Sequence, residues 1–329
     1  MNYKIRRNLL ILAIFSILFA GCKKNQLQSQ AKINIVTTTF PCYDAVRAVT
    51  KNISEKTISV KLLCKPGVEV HSFDPTPQDL ISIQQSDLFI FVGGESDEWV
   101  EKLLSSGDYN SEKKFLKLFD FVELFDEEET LEKEHNHENE DFENPHEKDE
   151  HIWTSPKNEI EIIKIVEQKL SECAKEKNLL ELCENFKINA ENYIQEIQDV
   201  VSFTNKILKE TPEKFIVMAD RFPFLYFANF YKIEYIAAFS GCSSAVEAST
   251  ATISTLIDTI KQKKVPAVFY IELGNHKLAD TISESCGVKS LLLQSCQNVS
   301  KSDFENGETW VSLMKKNALN LKEGLKQWL

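Results

Sequence analysis

Basic charge is scarce in this chain: 38 Lys and Arg stand against 50 Asp and Glu in 329 residues, a formal net charge of −12. Nucleic-acid binding is driven by cationic side chains neutralising phosphates, so the balance argues against such a partner. No apolar run reaches the roughly 20 residues that span a bilayer. The eight cysteines form no CxxC pair, there is no HExxH, and no Gly-x-Ser-x-Gly elbow occurs. Those gaps remove the usual signatures of zinc peptidases and serine hydrolases. Repeats at solenoid periods are also missing. With 43% hydrophobic residues, the chain still has ample apolar matter for one large core or two smaller ones.

The acidity is local. Between Asp126 and Glu150 there are 13 acidic residues and two lysines, so this segment carries −11 of the total −12. It has no apolar periodicity and reads as a loop, 126–150. His135, His137 and His146 lie inside it and His151 follows it. Two readings stay open: a solvated insertion without specific function, or an accessory loop whose imidazoles and carboxylates gather divalent metal, with a lean to zinc over manganese.

At the start, Lys4, Arg6 and Arg7 precede an apolar run from Leu9 to Ala20 and then Gly21-Cys22. A basic stretch, a short apolar stretch and small residues before a cysteine look like a bacterial lipoprotein signal. That resemblance implies removal of residues 1–21, lipidation of Cys22, a polar tether over 22–31, and a membrane-anchored protein facing periplasm or cell exterior. Seven cysteines remain, an odd number, so at least one is free unless it pairs between chains. Buried thiols and simple disulfides are both open.

Beyond the tether, short β-branched runs alternate with capped helical patterns. Lys32–Thr39, Ser59–Leu63 and Leu88–Val92 read as strands, with a helix from Cys42 and another from Thr76-Pro77. Ser155-Pro156 starts a further helix. From Leu180 to Glu210 the sequence has neither glycine nor internal proline, a helix of roughly 45 Å at 1.5 Å per residue. A second series of strands and helices follows. The expected architecture is α/β: two Rossmann-like lobes, 32–179 and 212–329, joined by one long rigid helix over 180–211, with a ligand cleft at the carboxyl ends of the strands.

Two strings carry the chemistry. Pro66-Gly-Val-Glu-Val-His71-Ser-Phe-Asp-Pro75-Thr-Pro77-Gln-Asp79 holds a histidine just before a firmly capped helix, and Asp149-Glu-His151-Ile-Trp-Thr-Ser-Pro156 repeats the arrangement. Asp149 is placed to orient the His151 imidazole, as carboxylates do for metal-bound histidines. These strings resemble the motifs PGV-x-x-H-x-F/Y-x-P-T/S-P-x-D and D-P-H-x-W-x-S/D-P of the zinc/manganese solute-binding proteins of bacterial ABC transporters. The first matches at every fixed position and the second at all but proline, replaced by Glu150.

The resemblance implies a Zn2+ cargo, with Mn2+ as the second choice, an ABC permease and its ATPase as partners, no enzymatic step, and a monomer. It also implies a third histidine and a late carboxylate from the second lobe. Alignment of Val217-Met-Ala219-Asp220-Arg-Phe222 and of the run after Gly287 places Ala219 and Gln294 there. Only His71 and His151 carry over directly. Asp220, Glu272 and Gln294 remain candidates for the rest of the shell, and His276, Cys242 and Cys296 are weighed against exposure or disulfide formation. The competing functional classes are a two-lobed protein of this fold that has lost metal binding and recognises another ligand, and an extracellular zinc hydrolase.

Overall fold

The computed structural model of the protein describes residues 32–106, 114–127, 147–211, 213–242, 247–274 and 276–325. In the first lobe, β1 (Ile33–Thr37), β2 (Ile58–Leu62), β3 (Leu88–Phe91) and β4 (Lys114–Lys117) form one sheet of order β2-β1-β3-β4, parallel throughout. β3 reads Leu-Phe-Ile-Phe with every residue buried, as a strand covered on both faces requires. Between the strands run α1 (Phe40–Val49), α2 (Pro77–Gln85) and α3 (Glu98–Ser105). The Thr76 hydroxyl accepts from Asp79 N–H and the Asp79 carboxylate accepts from Thr76 N–H, a reciprocal cap that fixes where α2 begins.

Two long antiparallel-connected helices follow, α4 (Pro156–Glu176) and α5 (Glu181–Lys209). The 29 residues of α5 reach about 44 Å at 1.5 Å per residue. Near its start, Asn189 donates to the carbonyls of Val49 and Lys51 at the end of α1, and Tyr193 donates to Asp44 within α1. Its far end delivers the chain to the second sheet.

The second lobe contains β5 (Phe215–Phe222), α6 (Leu225–Tyr231), β6 (Glu234–Ser240), α7 (Thr250–Lys263), β7 (Ala267–Ile271), α8 (Lys277–Cys286), β8 (Lys289–Leu293), α9 (Lys301–Glu305) and α10 (Trp310–Gly324). Its sheet, β6-β5-β7-β8, is again all parallel and repeats the order of the first. In each sheet the chain reverses direction across the first strand, so the switch points lie between β1 and β3 and between β5 and β7. Ligands bind beyond the carboxyl ends of strands at such points.

The lobes share a core. One buried cluster runs from Ile33 and Phe40 through Trp153, Phe186 and Tyr193 to Ile216, Phe269 and Trp310. The two indoles stitch the lobes behind the cleft: Trp310 Nε1–H donates to the Trp153 carbonyl at 2.9 Å, and Trp153 Nε1–H donates to the Ser295 carbonyl at 2.8 Å. None of the seven cysteines of the described residues is joined in a disulfide, and five of them are buried, so the open question of disulfides resolves toward small buried residues.

Candidate metal centre

Three of the loops at the carboxyl edge of the first sheet contribute to one small cluster. After β2, His71 sits in a single 3-10 turn, Val70–Ser72. After β3, Gly93 and Gly94 lead into the turn Glu95–Asp97, which carries Ser96. The Asp97 carboxylate clamps that turn by accepting from Val92 N–H and Gly93 N–H, and burial pushes its carboxyl up to about 7. Glu150 and His151 arrive just before the turn Ile152–Thr154 that opens α4.

One potential donor atom from each of His71, Glu150 and His151 lies within 4.8 Å of the other two. The fit depends on glycine. Gly94 has φ +141, and a Cβ there would lie 2.6 Å from Glu150 Cβ and 3.2 Å from the Phe119 ring. Gly241, at the end of β6, similarly lets the second lobe approach the His151 ring, which a Cβ would meet at 3.1 Å.

The hydrogen bonds determine what each histidine offers. Ser96 donates its backbone N–H to Glu150 Oε2 at 2.8 Å and its hydroxyl to Oε1 at 2.6 Å. Having given its one proton to Glu150, the hydroxyl accepts from His71 Nδ1, 3.1 Å away. Nδ1 of His71 therefore carries the hydrogen and Nε2 presents its lone pair as an acceptor. His151 repeats the logic with Nδ1–H on Asp149 Oδ1 at 3.2 Å, while its backbone N–H reaches the same oxygen at 2.8 Å. The Nε2 of His151 is fully buried and has no hydrogen-bond partner among the described residues. A buried polar atom left unpaired is costly, and a lone pair held in that state by an anchored ring is what a metal ligand requires.

The two imidazoles differ electrostatically. Burial pulls His71 below the ordinary 6.5, only partly opposed by the Glu150 carboxylate. Burial acts the same way on His151, but the Asp149 charge and hydrogen bond outweigh it and raise the group above 6.5. From the second lobe, Gln297 Nε2–H2 lies 2.8 Å from Glu150 Oε1 and 3.3 Å from His71 Nε2. At the rim, Arg221 at the end of β5 makes a two-toothed ion pair with Glu69 of the first lobe, 2.8 Å at its shorter contact.

The structure brings His71 and His151 together, their ring centroids 6.2 Å apart. The other candidates are held elsewhere. Asp220 accepts from the backbone N–H of Arg221 and Ile271 and lies against Gly274, while Ala219 packs in the second-lobe core. Glu272 is buried with both oxygens on Ser295, its carboxyl pushed up to about 7 by burial. Gln294 is fastened through its backbone to Asn317, and its buried side-chain oxygen has no partner among the described residues. His276 is exposed against Tyr270. Cys22, His135, His137 and His146 lie outside the described residues. In the sequence Glu150 shows only as a replaced proline, and no local signal marks Ser96 or Gln297.

Comparison with known proteins agrees with this geometry. The chain is 31% identical over 318 residues to the zinc-binding lipoprotein AdcA of Streptococcus pneumoniae, covering 97% of this chain but 61% of that protein's length. It is 27% identical to the high-affinity zinc uptake system protein ZnuA of Bacillus subtilis, covering 98% of each. The crystal structure of the Zn(II)-bound ZnuA-like domain of S. pneumoniae AdcA superposes with a TM-score of 0.71 at 28% identity, over 90% of this chain and 100% of that domain. Residues 35–324 match the model of the family described as zinc-uptake complex component A, periplasmic, and the chain belongs to that family.

Proposed function

We propose that this chain is the extracytoplasmic solute-binding component of an ABC import system, capturing Zn2+ between its lobes and delivering it to a permease driven by an ATPase. His71 and His151 are its anchoring ligands, with Mn2+ as a poorer cargo because imidazole nitrogen suits zinc better. A lipid on Cys22 would hold the protein at the membrane, residues 22–31 serving as tether. The observation that carries the reading is the pair of imidazoles brought together with Glu150, whose Nδ1 atoms are both tied down and of which His151 Nε2 is buried without a partner among the described residues. Family membership and the zinc-bound relative support the choice of metal.

Calorimetric titration of the purified chain with zinc in buffers of different ionisation enthalpy tests it. Zinc must displace any proton on a ligand nitrogen. Since His151 is raised above 6.5 and His71 lies below it, zinc affinity is expected to fall with acidity in two stages. One proton is released per zinc in the window above 6.5, and a second joins only below it. An absence of zinc binding would reject the proposal, and proton release independent of pH between 5 and 8 would reject the histidine assignment.

Asp149 gives a second expectation. Changing it to Asn removes the charge that orients His151 while keeping the shape, and outer carboxylates of this kind are worth about 10–100-fold in metal affinity. Chelator competition on Asp149→Asn should show a loss in that range.

A further inference from the structure

Building on the zinc-binding reading above, we infer that Glu150 is the third protein ligand, so that His71, Glu150 and His151 of the first lobe form the donor set and Gln297 is the residue through which the second lobe meets it. In the second lobe, the positions where the motif resemblance calls for donors hold Ala219 and Gln294, and the neighbouring carboxylates of Asp220 and Glu272 are already bonded to backbone amides and Ser295. Glu150 occupies the position of a motif proline, and it is the carboxylate that lies with both histidines.

Its chemistry suits the role. A carboxylate has about four acceptor sites, and Glu150 uses three, two on Oε1 and one on Oε2. Oε2 thus keeps a lone pair while Ser96 holds the group in place. The Ser96 hydroxyl bonds both Glu150 Oε1 and His71 Nδ1, so one side chain orients two donors at once. Two imidazole nitrogens and one carboxylate oxygen leave a fourth position on a tetrahedral zinc.

Gln297 completes the arrangement from across the cleft. One amide hydrogen goes to Glu150 Oε1 and the other points at the His71 Nε2 lone pair. A cation on Nε2 must take that lone pair from the amide, so loading of the first lobe is transmitted to the loop after β8 by the loss of one named hydrogen bond.

Two measurements on the full chain test this. In zinc competition against a chromophoric chelator, Glu150→Gln keeps the volume and an acceptor for Ser96 but loses the charge, and affinity should drop at least tenfold. Zinc-edge X-ray absorption on the unaltered chain, which depends on no variant folding, should show two imidazoles with oxygen donors. Glu150→Gln binding within twofold of the unaltered chain, while His71→Ala,His151→Ala has lost zinc, would overturn the Glu150 assignment and leave the zinc-binding reading standing. A shell of three or more imidazoles, recruiting His135, His137, His146 or His276, would overturn it equally. Failure of the unaltered chain to compete for zinc at all would remove both.

Discussion

Replacing His71 and His151 together by alanine is expected to weaken zinc binding by about ten-thousandfold. Apparent free energies of structural zinc sites are about 10–16 kcal/mol over four donors, or about 3 kcal/mol for each donor lost. At about 1.4 kcal/mol per decade, that is about a hundredfold for one histidine and its square for two acting separately. Neither loss should be confused with unfolding. His71 is only partly buried, and in His151→Ala the Asp149 carboxylate keeps the His151 backbone N–H as a partner. Chelator competition measures the affinity, and urea titration of the metal-free variants shows whether the fold survives. A double variant that still holds zinc within tenfold of the parent would mean that the cation sits elsewhere in the chain.

The histidines were legible because each precedes a proline-led helix start; the first is closed by the Thr76–Asp79 capping box, while Ser155 makes no side-chain cap bond and Pro156 alone marks the second. Thr76 with Pro77 and Asp79, and Ser155 with Pro156, mark helix starts that the structure places at Pro77 and Pro156. The long helix was readable from the absence of breakers between Leu180 and Glu210, and it forms over Glu181–Lys209. β4 was not, since Lys-Phe-Leu-Lys is four residues long and earns its strand state only by pairing with β3. Glu150 illustrates a deeper limit. Its neighbours in space, Ser96 and Gln297, are 54 and 147 positions away, and no local pattern predicts that a carboxylate at a proline position will be turned toward a histidine 79 positions earlier. What makes the turn possible is Gly94, whose missing side chain is visible as a residue letter but meaningful only once Glu150 is known to lie against it. The second-lobe carboxylates show the converse. Asp220 and Glu272 fall at strand ends as expected, yet backbone amides at the same strand ends claim their oxygens, and only coordinates reveal that competition.

The seam behind the metal centre supplies the second large effect. Trp310 is fully buried, its backbone N–H donates to Asp44 Oδ2 at 2.7 Å, and its indole N–H satisfies the Trp153 carbonyl. Trp153 lies two residues beyond His151 and in turn binds the Ser295 carbonyl, whose residue holds Glu272. Truncating a buried tryptophan to alanine costs about 3–5 kcal/mol, and here the cavity opens where both lobes share one core. Against a total stability of about 5–15 kcal/mol, Trp310→Ala should move the urea midpoint sharply downward. Trp310→Phe, which keeps most of the packing and loses one hydrogen bond, should cost about 1–2 kcal/mol. A cost below about 1 kcal/mol for the alanine variant would show that the lobes are not fastened by this seam. If the expected ordering holds, a shared core and two indole bonds across the seam leave little freedom for wide opening of the cleft. Cation exchange would then proceed through the rim, where Arg221 pairs with Glu69, and through the Gln297 loop, rather than by swinging one lobe away from the other.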